Sequence, residues 1–430
     1  MKRYFNKVDV NTVKNDQAWL FCDKDRFSIK ILYNQPYAKN NVKWINFMSA
    51  AQKLHSIVTR NPLLFLSGIG TLIVFISTFV FLTSNATPPP KQAVSDQAPS
   101  PVEHSNSAVI LIYHHFGKNE YPSTNIRLAQ FDAQLDYLEQ NQFNVWSLSQ
   151  LVTALKNQTP IPEKTVVFTI DDAWKSVYTE AFPRFKKRGW PMTVFVNTDA
   201  IDKGYQSNMT WEQMREMQQY GAEFANHAKT HQKLVQQPDE SYDTWKTRVT
   251  QEIKVAQQRL KSELGEQTNQ TKLFSYPYGE YSEALANLVQ KMGYVGIAQN
   301  SGAVGYQSDL RALMRFPMSE VYADMDAFKL KVNTHVFPVK KITPFDPVIT
   351  ENPPKLILEF TSPPQRNIQC FNQHGEPLLL DWASETKLEI TSDSPLEPPR
   401  SRYACTQMTP DGDWRWISHG WVISHKNNMD

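Results

Sequence analysis

From Ala108 to about Thr343 the chain alternates short apolar runs with amphipathic stretches. AVILIY (108–113) predicts a buried strand, and Leu128, Phe131, Leu135 and Leu138 then recur at helical spacing. TVVFTI (165–170) and MTVFV (192–196) predict two more buried strands, with a helical stretch up to Gly189 between them. Thr210 and Gln213 form a capping-box pattern that opens a helix over 211–220, and Gly221 suits its end. AEFA (222–225), a long helix over about 240–264, LFSY (273–276), a helix near 282–292 and VGIA (295–298) continue the series. Strands alternating with helices predict an α/β fold with a parallel sheet, and about seven such units fit a distorted barrel better than a short open sheet.

The pattern changes at both ends of this region. Over 344–430, the runs KLILEF, NIQCF, PLLLDW and KLEIT are short and separated by Pro, Asn, Gly and Asp, which predicts a small all-β domain. Its last run, WRWISHGWVIS (414–424), carries Trp414, Trp416 and Trp421 as candidates for a sugar-stacking platform. The alternative is a small core built around large side chains. On the N-terminal side, Pro62 to Leu82 is uncharged and apolar on every face, long enough at about 1.5 Å per residue for a bilayer of about 30 Å. We place one transmembrane helix at 61–83, a Pro-rich linker at 84–107 and a folded α/β part at 108–343.

Charge then orients the membrane segment. The net charge of +2 averages two unlike parts: residues 1–60 carry eleven basic against four acidic side chains, and the rest is net negative. A Lys/Arg excess marks the cytoplasmic side of a span. Segment 1–60 is therefore expected in the cytoplasm, as a small fold or a partner-binding tail, with everything after the span translocated to a periplasmic or extracellular location. A near-neutral balance also excludes a strongly basic nucleic-acid binder. Of three cysteines, Cys370 and Cys405 fall in the translocated part, where oxidising conditions permit a disulfide; two free thiols are the alternative.

Chemistry in α/β folds gathers at the C-terminal ends of strands. His114 and His115 follow the first strand, Asp171 and Asp172 the second, Asn226, His227 and His231 the fourth, and Pro277, Tyr278 and Gly279 the fifth. Each group alone has an ordinary reading as a turn, a helix cap or a solvated surface. Together they supply two imidazoles four residues apart and a carboxylate to hold one cation with an open position, plus a second carboxylate to act as base. Neither glycine fingerprint for nucleotides is present.

These residues resemble the NodB-type polysaccharide deacetylases, carbohydrate esterase family four. TIDDAW (169–174), NHAKTH (226–231) and FSYPYG (274–279) are similar to three of that family's motifs, in its order. Tyr113-His114 after the first strand and the context of 161–183 are closest to the deacetylases of poly-β-1,6-N-acetylglucosamine. The resemblance implies a metal-dependent enzyme that removes N-acetyl groups from N-acetylglucosamine units of a cell-surface polysaccharide, here behind the membrane anchor that the apolar run predicts. It implies Asp171 as general base, His114 as general acid (His115 competing), and Asp172, His227 and His231 as ligands of a divalent metal: zinc first, nickel or cobalt as alternatives. Tyr278 and Arg315 are expected to bind substrate or oxyanion. Two departures stand out: Ala173 replaces a glycine, and Ser275 stands where most members carry the arginine that partners the base. Polysaccharide synthesis or export machinery is an expected partner. Peptidoglycan or chitooligosaccharide deacetylation, or a catalytically silent polysaccharide-binding or assembly role, are the competing readings.

Overall fold

The computed structural model describes residues 106–423 and, before them, the backbone of four short strands. Those strands, Thr12–Asn15, Ala18–Asp23, Ser28–Tyr33 and Trp44–Asn46, form one antiparallel sheet in sequence order. They lie in a compact unit, Met1–Ala98, distinct from a second unit, Pro99–Asp430. The expected membrane segment at 61–83 and most of the linker lie outside the described residues. Among the described residues no helix is long and apolar enough to cross a membrane.

The second unit is built on a parallel sheet. Strands β1 (Ser107–Tyr113), β2 (Thr165–Ile170), β3 (Met192–Val196), β4 (Ala222–Asn226), β5 (Leu273–Ser275) and β6 (Val295–Ile297) pair side by side in that order. A seventh, β7 (Phe316–Pro317), pairs in parallel with Leu111 and Ile112 of β1. The residues just before it bond to the other edge: Leu313 N–H donates to the Gly296 carbonyl at 2.9 Å, and Ala298 N–H to the Leu313 carbonyl at 2.8 Å. This stretch joins the two edges and curls the sheet into a distorted barrel. The approach depends on Gly296, where a Cβ would collide with the Arg311 carbonyl and the Tyr276 hydroxyl.

Both faces of the sheet are covered, so its strands read as continuous apolar runs. Val109, Leu111 and Tyr113 join one buried cluster with Phe131, Leu135 and Leu138 of helix α1 (Leu128–Gln140). Ala108 and Ile110 face the other way, with Val167, Phe195, Ile297 and helix α2 (Leu148–Asn157). Helix α3 (Phe182–Arg188) follows a π turn over Val177–Ala181 and stops at Gly189, whose φ is 64°. Thr210 and Gln213 form the capping box of α4 (Trp211–Gln218). Helices α5 (Tyr242–Leu264), α6 (Glu283–Lys291) and α7 (Met325–Val332) complete the outer layer.

The C-terminal β region makes two antiparallel sheets. One has the order β8 (Val339–Thr343), β9 (Lys355–Phe360), β12 (Lys387–Thr391), β11 (Leu379–Ser384). The other has the order β10 (Gln369–Phe371), β13 (Arg400–Met408), β14 (Trp414–Val422). Because β8 pairs with β9, the region begins before position 344; its VKKIT sequence hides the strand among lysines. Cys370 and Cys405 face each other across β10 and β13 and form a disulfide. The region packs directly on the barrel. Ser301 N–H donates to Ser418 Oγ at 2.6 Å, Gly420 N–H to Asn300 Oδ1 at 3.2 Å, and Trp416 meets Phe316 edge-on at 5.4 Å.

Alternation along β14 separates the three tryptophans. Trp421 is on the face of Ile417 and His419, only 1% exposed, packed on Tyr403 in the core of the β region. Trp414 and Trp416 occupy the other face, where Trp416 is packed against the barrel core. The three tryptophans therefore do not share one face: five residues from 416 to 421 is an odd step, and an odd step along a strand changes sides.

Candidate active site and metal centre

The C-terminal end of β2 delivers two adjacent carboxylates to different environments. Asp171 is fully buried. It is held by Arg315, whose Nη1 donates to Oδ1 at 2.7 Å and whose Nη2 donates to Oδ2 at 2.9 Å. Ser275 Oγ donates to the same Oδ2 at 3.1 Å. Burial by itself raises the Asp171 pKa, but the Arg315 guanidinium, followed by His227, outweighs it and holds the carboxyl below its usual value. Arg315 in turn donates to the Ala298 carbonyl, Thr169 Oγ1 and Ser275 Oγ, and its side chain is 0% exposed. It is thus enclosed behind Asp171, and the contact the structure shows for it is with that carboxylate. The partner of the base comes from the closing stretch of the barrel, and Ser275 leaves room for it.

Asp172 turns the other way, with φ of 73°. Its Oδ1 lies 3.4 Å from His227 Nε2 and 3.2 Å from His231 Nε2. The three candidate ligand atoms all lie within 4.8 Å of one another. His227 Nδ1 is 2.8 Å from the Ser275 carbonyl, so Nδ1 carries the proton and Nε2 offers its lone pair to the centre. Trp174 Nε1 donates to Asp172 Oδ2 at 3.2 Å, while Oδ1 is buried without a hydrogen-bond partner. A buried, orphaned carboxylate oxygen aimed at two imidazole nitrogens is the donor set that a divalent cation satisfies. These residues fit the expected metal.

The 227–231 spacing works through a bend rather than a helical turn. Ala228 and His231 both have positive φ, 63° and 60°. Asp172, Ala173 and Tyr278 do too, so five of the nine non-glycine residues of this kind among the described residues surround one centre. Such backbone strain gathers at functional sites. Burial, followed by the charge of His227, pushes His231 down to about 4.

His114 is half-buried beside this centre, and its charge acts on Asp171, Asp172 and His231. His115 is committed elsewhere. Its ring stacks between Tyr121 and Trp174 at 4.7 and 4.5 Å, Nδ1 is 3.2 Å from Thr124 Oγ1, and burial, with His114 second, pushes its pKa down to about 4. His114 is thus the imidazole of the pair whose charge acts on Asp171. Tyr278 is 42% exposed and sets its ring 4.6 Å from that of His231. It lines two clefts, one with His231, Lys233 and Arg248, the other with Gln299, Asn300 and Arg400. Tyr278 thus stands between two clefts, one of which includes His231.

Residues 158–297 match a family described as polysaccharide deacetylase. Over those residues the chain matches a polysaccharide deacetylase domain. The domain is similar to the polysaccharide deacetylase YxkH of Bacillus subtilis (strain 168), 28% identical over 216 residues, covering 49% of this chain and 71% of that protein. It is also similar to the poly-β-1,6-N-acetyl-D-glucosamine N-deacetylase of Escherichia coli (strain K12), 26% identical over 162 residues. That match covers 34% of this chain and only 24% of the relative's length. Among solved structures, the Streptococcus pyogenes deacetylase PplD matches with a TM-score of 0.47 at 24% identity, covering 53% of this chain and 98% of that one. The family match includes Asp171, Asp172, His227, His231 and Tyr278; His114, Arg315 and the whole C-terminal β region lie outside it. Sequence reasoning missed the supporting hydrogen bonds of Trp174, Ser275 and Thr169. Their signal was faint: each merely adjoins a motif residue or lies in a buried strand.

Proposed function

We propose that the protein is a metal-dependent N-deacetylase of a cell-surface polysaccharide of the poly-β-1,6-N-acetylglucosamine type. The observation that carries the reading is the division of labour at β2: Asp171 clamped by Arg315, and Asp172 set with His227 and His231 around an unpartnered oxygen. A silent polysaccharide-binding protein has no use for a buried guanidinium that keeps one carboxylate ionised beside a second.

A divalent metal held by Asp172, His227 and His231 supplies Lewis acidity, and zinc suits two imidazoles and a carboxylate, with nickel or cobalt accommodated by the same donors. Asp171 is ionised at neutral pH and takes the proton of the attacking water. His114 returns a proton to the departing amine nitrogen as the C–N bond breaks. The Tyr278 backbone N–H is the candidate donor to the oxyanion. The products are acetate and a glucosamine unit.

The apolar run Pro62–Leu82 and the basic excess before it support a single-pass anchor with a cytoplasmic N-terminus. The catalytic part then faces the periplasm or exterior, where polysaccharide synthesis or export machinery presents the polymer. Protease accessibility of 108–430 in intact against permeabilised cells tests this topology; protection that persists after the outer barrier is opened overturns it.

Acetate release by the full chain tests the activity, with β-1,6-linked N-acetylglucosamine oligomers, chitooligosaccharides and peptidoglycan as substrates. The expected result is release from the β-1,6 polymer that a chelator abolishes and added zinc, nickel or cobalt restores. Preference for either other glycan reassigns the substrate, and no release from any of them overturns the reading.

A further inference from the structure

The family match ends at 297, yet one of the two clefts beside Tyr278 has a wall that comes from the C-terminal β region. This cleft has a volume of about 360 Å³. On the barrel side it is lined by Tyr278, Gln299 and Asn300, and on the other by Arg400, Arg402 and Trp421. The two sides are tied together: Arg400 Nη1 donates to the Tyr278 carbonyl at 2.9 Å. The β region therefore holds the residue whose ring lies against His231.

The lining is mostly polar, with Gln299, Asn300, Gln373 and Ser418 beside the two arginines. Tyr278 and Tyr322, each 42% exposed, offer aromatic faces. Hydroxyl-rich rings with apolar faces match such a lining.

Its charge is one-sided. Glu280 is the carboxylate of the cleft, and it is 5% exposed and already engaged by Lys233 at 3.1 Å and Arg400 at 3.6 Å. Arg402 has no ion-pair partner among the described residues, which leaves the cleft with a cationic surplus.

We propose that this cleft is a saccharide subsite next to the reacting unit, and that Arg402 makes it read charge: it accepts an uncharged N-acetylated sugar and rejects a protonated glucosamine. The inference rests on the deacetylase reading and sharpens it. Every turnover converts an acetamide into an ammonium, so a subsite of this kind disfavours reaction beside a unit already processed. Acetyl removal would then be spaced along the polymer instead of running in blocks.

The test uses the full chain and two β-1,6-linked tetrasaccharides, one fully N-acetylated and one carrying a single glucosamine. Acetate release and binding, followed by tryptophan fluorescence, are both measured at low salt. The wild type is expected to favour the acetylated tetrasaccharide by about fivefold in kcat/KM and in affinity, as for one pair of like charges near a wet surface, and high salt compresses the ratio. Arg402→Gln brings the ratio to about one, and Arg402→Glu reverses it. A wild-type ratio near one, or a ratio that both variants leave unchanged while keeping the wild-type denaturation midpoint, overturns the proposal. If no acetate is released but the binding ratio behaves as expected, the deacetylase reading fails and the subsite stands. If neither tetrasaccharide binds nor reacts, both fail.

Discussion

The mouth of the barrel and the C-terminal β region both announce themselves by unusual residues near strand ends, and they use those residues in opposite ways. At the mouth, His, Asp and Arg are buried where a core does not want them, in strained backbone, with one carboxylate oxygen left without a partner. In the β region, tryptophan and tyrosine are buried where a core does want them, across a disulfide-linked pair of strands. A cluster of residues signals function when its burial costs free energy, and packing when its burial yields it.

The sharpest way to break this contrast is to remove one carboxylate from the mouth. Asp172→Ala is expected to lower acetate release by more than about a thousandfold, as is typical when a member of a catalytic unit is lost. Bound metal measured by elemental analysis should fall with it, while the far-ultraviolet circular dichroism stays that of the wild type. Retained activity would remove Asp172 from the catalytic centre.

Arg315 separates catalysis from stability. Arg315→Met leaves Asp171 buried without its guanidinium, and breaking one partner of a buried pair costs about 3–5 kcal/mol. The denaturation midpoint should drop accordingly. Asp171→Leu combined with Arg315→Met should recover much of that loss yet release no acetate. Equal midpoints for Arg315→Met and wild type would mean that the pair is solvated.

The β region should answer differently. Trp421→Ala removes a ring from the core and is expected to cost about 3–5 kcal/mol, whereas Trp414→Ala, half-buried at the start of β14, should cost less than about 1 kcal/mol. Urea denaturation of the two variants decides. A Trp421→Ala protein with an unchanged midpoint and weaker polymer binding would return this residue to a sugar-stacking role.

Much of the barrel was legible because both faces of its strands are buried. TVVFTI and MTVFV have no other reading than buried strand, and the residues directly after each buried strand then had to be examined as site residues. The grouping of Asp172 with His227 and His231 was legible for the same reason. Arg315 was visible as a residue but not as the partner of Asp171. That pairing depends on the stretch before β7 crossing between β6 and β1, a contact set by Gly296 and by no local pattern. In the β region, alternation could have shown that Trp421 faces away from Trp414 and Trp416; the density of aromatics masked it. The strand at 339–343 was hidden by two lysines, and the cleft that Tyr278 shares with Arg400 and Arg402 is a tertiary contact that no spacing records.

An effect that only pH reveals lies at the seam between the two regions. Lys331 on α7 is 5% exposed, and its Nζ donates to the carbonyls of Pro317 at 3.2 Å and Tyr322 at 2.6 Å, fastening the chain that leaves β7. Burial, with a smaller contribution from Arg402 of the β region and against the pull of Asp324, pushes its pKa down to about 8. A lysine whose folded pKa lies below its unfolded value of about 10.4 binds fewer protons in the folded state. Its contribution therefore makes the fold more stable as pH climbs from about 8 to about 10.4, and least stable below that window. The urea midpoint of the wild type should rise across this range relative to Lys331→Met, which lacks the titrating group and shares every other one. Parallel pH profiles for the two proteins would show that Lys331 keeps an ordinary pKa, and that the seam is wetter than the packing around Pro317 implies.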